Sequence, residues 1–144
     1  MTGWGLVGDG AWGMALARRL AANGHSVTVV GESAYPRRLS KGIFHTLDLP
    51  EVLLRHERLL IALPIDALEP FLSAAAPHLR GDHRIVSTCR GLTPAAHLRG
   101  TEAISRLTPV RQLAVLAGAA DADALKRKSP VALVVGTPFA VWGS

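Results

Sequence analysis

The sequence predicts an α/β fold: a doubly wound, mostly parallel sheet with helices on both faces. Three observations carry that expectation. Short runs rich in valine, isoleucine and leucine alternate with longer stretches of helical period from one end of the chain to the other. Most of these runs are apolar throughout, the pattern of strands covered on both sides, where a strand with one wet face would alternate apolar with polar. A glycine-rich turn, Gly8-Asp9-Gly10-Ala11-Trp12-Gly13, joins the first run to the first helical stretch.

The elements follow in order. Residues 3–7 are a short apolar strand, and 11–23 carry Ala11, Met14, Ala15, Leu16 and Leu20 at helical spacing, with Arg18 and Arg19 on the other side. Asn23 and Gly24 stop the helix, because both residue types tolerate the left-handed backbone of a helix C-terminus, and "SVTVV" at 26–30 is a β-branched strand. Residues 31–47 hold glycine, proline and serine without a sustained period and read as a loop or irregular crossover. Asp48 caps a short helix over 48–57, which feeds a strand at 58–64. The alternation then repeats: helix at about 66–78, strand at 83–89, short helix near 101–107, strand at 111–118, helix at 119–128 and strand at 131–136. The stretch "TPAAHLRGTE" reads as a loop. No fixed-period repeat, low-complexity tract or linker divides the chain, so residues 1–144 are expected to form a single domain.

Composition narrows the function classes. With 49% hydrophobic and 19% charged residues the chain should fold rather than remain disordered, around a core of Ala, Leu and Val, since aromatics are only 5%. Sixteen Lys and Arg against 11 Asp and Glu give a net charge of +5, which suits an anionic ligand. The basic residues are scattered, with no long run and no aromatic interleaving, which argues against nucleic acid as a partner. Cys89 is the single cysteine, so no intramolecular disulfide forms; with no apolar stretch long enough to span a bilayer and no leader pattern, a cytoplasmic protein is expected. The six histidines show no i, i+4 pairing and no cysteine or carboxylate cluster, so no metal site is expected and solvated or loop positions account for them. Cys89 beside Arg90 admits a reactive thiol, and a small buried residue closing a strand is the plainer reading.

The glycine turn fits a dinucleotide-binding, Rossmann-like unit. A side chain at Gly8 would strain the turn, one at Gly10 would keep the backbone from a pyrophosphate, and one at Gly13 would hold the helix off the strand. The anion would rest on the unpaired N–H groups at the start of the 11–23 helix. Glu32 lies at the end of the second strand, 24 residues after Gly8, where its carboxylate can accept hydrogen bonds from ribose hydroxyls and repel a 2′-phosphate. NAD is therefore expected over NADP, with Arg37 and Arg38 near enough in sequence to blur the preference. Asp9 reads as a turn residue pointing outward. Ser87 and Thr88, closing a strand, are in position to touch a phosphate or simply to end the strand.

"GDGAWGMALARRLAANGHSVTVVGE" resembles the opening of NAD(P)-dependent glycerol-3-phosphate dehydrogenases, GAGSWGTALA followed by LAxNGHxVxLWxR. "TLDLPEVLLRHERLLIALPIDAL", "PHLRGDHRIVSTCRGL" and "AVLAGAADADALKRKSPVALVVGT" resemble three further stretches of that family in the same order, nearly to the end of the chain. The resemblance implies that Trp12 lines the cofactor turn, that Pro64 closes the third strand beside the nicotinamide, and that Gly118 and Ala122 border the cofactor and substrate pocket. Gly8, Gly10, Ala11, Trp12, Gly13, Glu32, Pro64, Arg90 and Ala122 make up the expected cofactor site, with Arg90 in reach of a substrate or cofactor phosphate.

The departures bear on the chemistry. Arg90 stands where the family has a lysine that binds substrate beside the cofactor; the positive charge is kept, but a planar fork replaces a compact ammonium. The family's GPSFAxEV has become Gly118-Ala119-Ala120-Asp121-Ala122-Asp123-Ala124-Leu125, and the stretch from Glu32 to Thr46 is shorter than its counterpart. In the family a helical second domain supplies the catalytic lysine, and no convincing acid–base residue stands in for it here. The expectation is therefore the NAD-binding part of an oxidoreductase that moves hydride between nicotinamide and glycerol 3-phosphate, dihydroxyacetone phosphate or a similar small substrate, incomplete as an enzyme alone. A homodimer or a separate helical subunit would complete it. The alternative is a sensor or subunit that binds NAD(H) and catalyses nothing.

Overall fold

The computed structural model describes residues 3–32 and 38–138. Within them the chain runs β1 (Gly3–Val7), α1 (Ala11–Ala22), β2 (Ser26–Val30), β3 (Arg38–Ser40), β4 (Ile43–Thr46), α2 (Leu49–Arg55), β5 (Arg58–Ile61), α3 (Ile65–Ala75), β6 (Arg84–Ser87), α4 (Gly100–Leu107), β7 (Gln112–Ala119), α5 (Ala122–Lys126) and β8 (Ala132–Gly136). The described strands form one eight-stranded sheet in the order β3-β4-β2-β1-β5-β6-β7-β8. From β1 the chain builds outward to one side through β2 and β4, then crosses back and builds to the other side from β5. The strand order therefore reverses between β1 and β5, which pair in parallel from Gly5↔Leu59 to Val7↔Ile61.

Successive residues of the central strands face opposite layers, and both layers are apolar. Leu59, Ile61 and Ile85 pack with Leu68, Leu72, Ala103 and Ile104 on the side of α2, α3 and α4. Leu6, Val27, Val29, Leu60 and Val86 pack with Ala15, Leu16, Ala17 and Leu125 on the side of α1 and α5. Each central strand is thus buried on two faces, which is why the uninterrupted apolar runs signalled a covered parallel sheet. Burying a leucine at such a position contributes roughly 1.5–3 kcal/mol. The small residues Gly13, Ala15 and Ala17, all buried, let α1 lie close on the sheet, and Leu16 is buried beside them. Asn23 caps the helix and Gly24 takes a φ of +90° to turn the chain into β2. The Asp48 carboxylate accepts from the Glu51 N–H at 3.0 Å, capping α2 as expected.

Three local readings need correction. The segment 31–47 is not merely a loop. Gly42, with a φ of +85°, turns β3 into β4, and β4 pairs in parallel with β2 from Val27↔Ile43 to Val30↔Thr46. Four residues that include His45 and Thr46 give no sequence period; the hydrogen bonds to β2 make them a strand. The helix expected over 119–128 is only Ala122–Lys126, because residue 119 still belongs to β7. β8 returns antiparallel to β7 and leaves Val134 and Val135 exposed, so apolar composition there does not mark a buried parallel strand.

The histidines are not uniformly solvated either. His83 is fully buried, accepts at Nδ1 from the Arg80 N–H at 2.8 Å, and donates from Nε2 to the Leu53 carbonyl, also at 2.8 Å. It ties the turn before β6 to α2. His45 is buried as well. No described helix is long and apolar enough to cross a membrane.

Candidate functional site

The reversal of strand order leaves a crevice at the C-terminal ends of β1, β2, β5 and β6, where open α/β sheets bind ligands. Two grooves meet in it. One, of about 750 Å³, is bordered by Val30, Gly31 and Glu32 at the end of β2 and by Leu47 and Phe71. The other, of about 480 Å³, is bordered by Trp12, Pro64, Thr88, Arg90 and Ala122. They share Gly10 and residues 62–64, so the glycine turn lies at the middle of one continuous trough.

The three glycines of the turn have different physical reasons. Gly8 holds a φ of +112°, and a Cβ there would stand 2.3 Å from the Ala62 carbonyl oxygen, so the turn and its approach to β5 both require glycine. A Cβ at Gly13 would lie 2.1 Å from the Gly8 carbonyl oxygen. Gly10 differs: its φ is −70°, open to any residue, and a Cβ would meet no atom of the described residues within 4 Å. Gly10 is also the N-cap of α1, with no side chain capping the helix and no acid in its first turn. The N–H end of a 12-residue helix therefore opens into the trough without a carboxylate or hydroxyl of its own.

Most of the expected site residues converge. Gly8, Gly10 and Glu32 line the larger groove, while Gly10, Ala11, Trp12, Gly13, Arg90 and Ala122 line the smaller, and Pro64 borders both. Gly118 does not join them. Its φ of +147° and a would-be Cβ only 2.3 Å from the Ala132 carbonyl oxygen show that glycine is needed for β8 to pair with β7. Its carbonyl accepts from Arg90 Nη2 at 3.3 Å, which leans the guanidinium from the end of β6 toward β7. Arg37 lies outside the described residues.

The hydroxyls at the end of β6 serve the backbone. Thr88 Oγ1 donates to the Ile61 carbonyl at 2.9 Å, and Ser87 Oγ accepts from the Cys89 N–H at 3.2 Å. Cys89 donates its thiol proton to the Leu63 carbonyl at 3.3 Å, and burial pushes the thiol up from its ordinary value despite the hydrogen bond from Ser87. A thiol activated by Arg90 is not what the site contains. Among the described residues no group of three His, Cys, Asp or Glu is gathered as a metal site.

Asp9 does not point outward. Its Oδ2 lies 3.0 Å from His45 Nε2, reaching from the glycine turn across to β4. The pairing spans 36 residues of sequence, so it left no trace in local spacing. The one signal was the oddity of an acid inside a turn suited to an anion.

A family model described as "NAD-dependent glycerol-3-phosphate dehydrogenase N-terminus" matches residues 31–139. Over 145 residues the chain is 31% identical to the glycerol-3-phosphate dehydrogenase [NAD(P)+] of Bradyrhizobium diazoefficiens, covering 90% of this chain and 44% of that protein. It is 25% identical over 152 residues to the enzyme of the same name from Shouchella clausii, covering 92% of this chain and 45% of that one. The crystal structure of glycerol-3-phosphate dehydrogenase from Coxiella burnetii superposes with a TM-score of 0.89 at 20% identity, over 99% of this chain and 48% of that one. The chain thus spans less than half the length of the curated relatives it matches. By sequence match and fold together, it belongs to the family of NAD-dependent glycerol-3-phosphate dehydrogenase N-terminal domains.

Proposed function

We propose that this chain is the dinucleotide-binding part of a glycerol-3-phosphate dehydrogenase-like oxidoreductase and that it takes NAD(H) in preference to NADP(H). Gly10 carries the reading. It is the one glycine of the turn that packing does not demand, and its missing side chain leaves the uncapped start of α1 open to a ligand. The residues present fit a pyrophosphate there: backbone N–H donors, the helix dipole and no competing cap.

In this reading Gly8 and Gly13 hold the turn and Gly10 and Ala11 contact the pyrophosphate. Trp12, Pro64 and Ala122 wall the nicotinamide end, and Glu32 accepts from the adenosine ribose. The apolar border of Leu47 and Phe71 takes the adenine. Bound nicotinamide gives or takes the hydride. Arg90, at the same end of the trough as Pro64 and Thr88, binds the phosphate of a small substrate such as glycerol 3-phosphate or dihydroxyacetone phosphate. Arginine serves there as a charge and a hydrogen-bond fork, not as a proton carrier. The proton that accompanies hydride transfer needs a donor near the substrate oxygen, and that role falls to a group outside the trough residues described here.

Titration calorimetry with NADH, with Gly10→Val as the control, tests the binding. Saturable binding to the wild type that Gly10→Val abolishes, with the fold intact by circular dichroism, supports the reading, and equal binding by both proteins overturns it. Reduction of NAD by glycerol 3-phosphate, followed by nicotinamide absorbance with a protein that supplies the proton donor present, then tests the reaction.

A further inference from the structure

We infer that Asp9, an acid inside the glycine turn, is a principal determinant of cofactor choice against a 2′-phosphate, and that His45 is the residue that positions it. The inference rests on the dinucleotide reading above and adds to it a second carboxylate and its support.

Three strands contribute to the arrangement. Asp9 leaves β1 in the turn, and its carboxylate folds down onto the end of β2. A Cβ built on Gly31 would stand 2.1 Å from Asp9 Cγ and 2.4 Å from Oδ2, so the carboxylate occupies the space that a side chain at Gly31 would fill. Gly31 immediately precedes Glu32, and Asp9, Gly31 and Glu32 border the same groove. His45 of β4 contacts the same carboxylate through Nε2 at 3.0 Å from Oδ2. Its other ring nitrogen, Nδ1, is buried and has no hydrogen-bond partner among the described residues. With a proton on Nε2 the ring donates to the acid.

A ribose seated at the end of β2 therefore meets two acids of different kinds. Glu32 is exposed, so water and salt screen its charge and its side chain is free to swing away. The Asp9 side chain is only 19% exposed and its partner's 3%, so its charge is fixed in place and screened less. At an effective dielectric of about 20, a unit charge several ångströms from a phosphate changes affinity by at least about tenfold. Asp9 accordingly carries more of the discrimination than Glu32, although only Glu32 occupies the position where an acid is expected from sequence.

The test is the ratio of NADH to NADPH dissociation constants, measured by calorimetry on the full chain for wild type, Asp9→Asn, His45→Gln and Glu32→Gln. Asn is close to isosteric with Asp and still hydrogen-bonds His45. Asp9→Asn should move the ratio toward NADPH by about tenfold or more, and Glu32→Gln by less. His45→Gln should move it in the same direction, with no added effect in the Asp9→Asn background, a coupling that a merely structural role of His45 would not produce. An unchanged ratio in folded Asp9→Asn overturns the proposal. So does complete loss of the preference in Glu32→Gln alone, which decides the matter even if the Asp9 variant does not fold, because Glu32 is exposed. A wild type that binds neither cofactor removes the dinucleotide reading itself and this proposal with it, whereas a wild type that binds both equally leaves the dinucleotide site standing and removes the NAD(H) preference together with this proposal.

Discussion

Gly13 lies so close beneath Gly8 that a single added carbon at Gly13 would sit 2.1 Å from the Gly8 carbonyl oxygen. The contact sets the distance between α1 and the turn, and no flexible side-chain end is there to yield. Gly13→Ala should therefore destabilise the fold by about 2–3 kcal/mol, the upper part of the range for overpacking, in spite of alanine's better helix propensity. Gly10→Ala should leave the urea midpoint nearly unchanged while weakening NADH binding. Equal stability loss in the two variants would show that packing, not ligand approach, accounts for both glycines.

His83 should behave as a structural residue. Removing its ring in His83→Ala leaves the Leu53 carbonyl and the Arg80 N–H without their partner and opens a cavity at a fully buried position. Two lost hydrogen bonds and the cavity together predict a loss of about 3 kcal/mol in urea unfolding. A change below about 0.5 kcal/mol would contradict the bridging role.

His56 gives the fold an acid sensitivity. Burial first, and the Arg55 charge second, lower its pKa below the ordinary 6.5, and its Nε2 lies 3.1 Å from Thr28 Oγ1. The unfolded chain then binds a proton more readily than the folded one between the two values. Stability should accordingly be fully present above 6.5 and decline as pH falls from 6.5 toward the folded-state value. In a pH series of thermal melts His56→Gln should lose part of that decline; an identical pH dependence in the variant would rule His56 out as its source.

Cys89 should react slowly. With the thiol held protonated by burial and bonded to the Leu63 carbonyl, its alkylation by iodoacetamide at neutral pH should lag behind that of glutathione and accelerate as pH rises. Faster reaction than glutathione would mean that Arg90 activates the thiol after all.

The legible part of the fold was the part in which local pattern and long-range packing ask for the same residues. The apolar run at 59–61, the glycine turn, the Asp48 cap and the Asn23-Gly24 stop are each satisfied within a few residues of themselves or by burial on two faces. β4 was not legible, because its partner is β2 and its own four residues carry no period. The same limit applied to the site. Gly8, Gly10 and Glu32 announce themselves by spacing, whereas His45 does not.

By itself, then, the sequence determined the α/β alternation, the doubly covered sheet and the place of the glycine turn, since burial and backbone freedom are properties of residue type and periodicity. Only the tertiary structure decided that Gly118 serves the pairing of β7 with β8, that His83 bridges to α2, and that Asp9 is held by His45 over Gly31. Each of these depends on which distant backbone comes to lie alongside. That follows from the order of strands in the sheet, not from the residues near it in the chain.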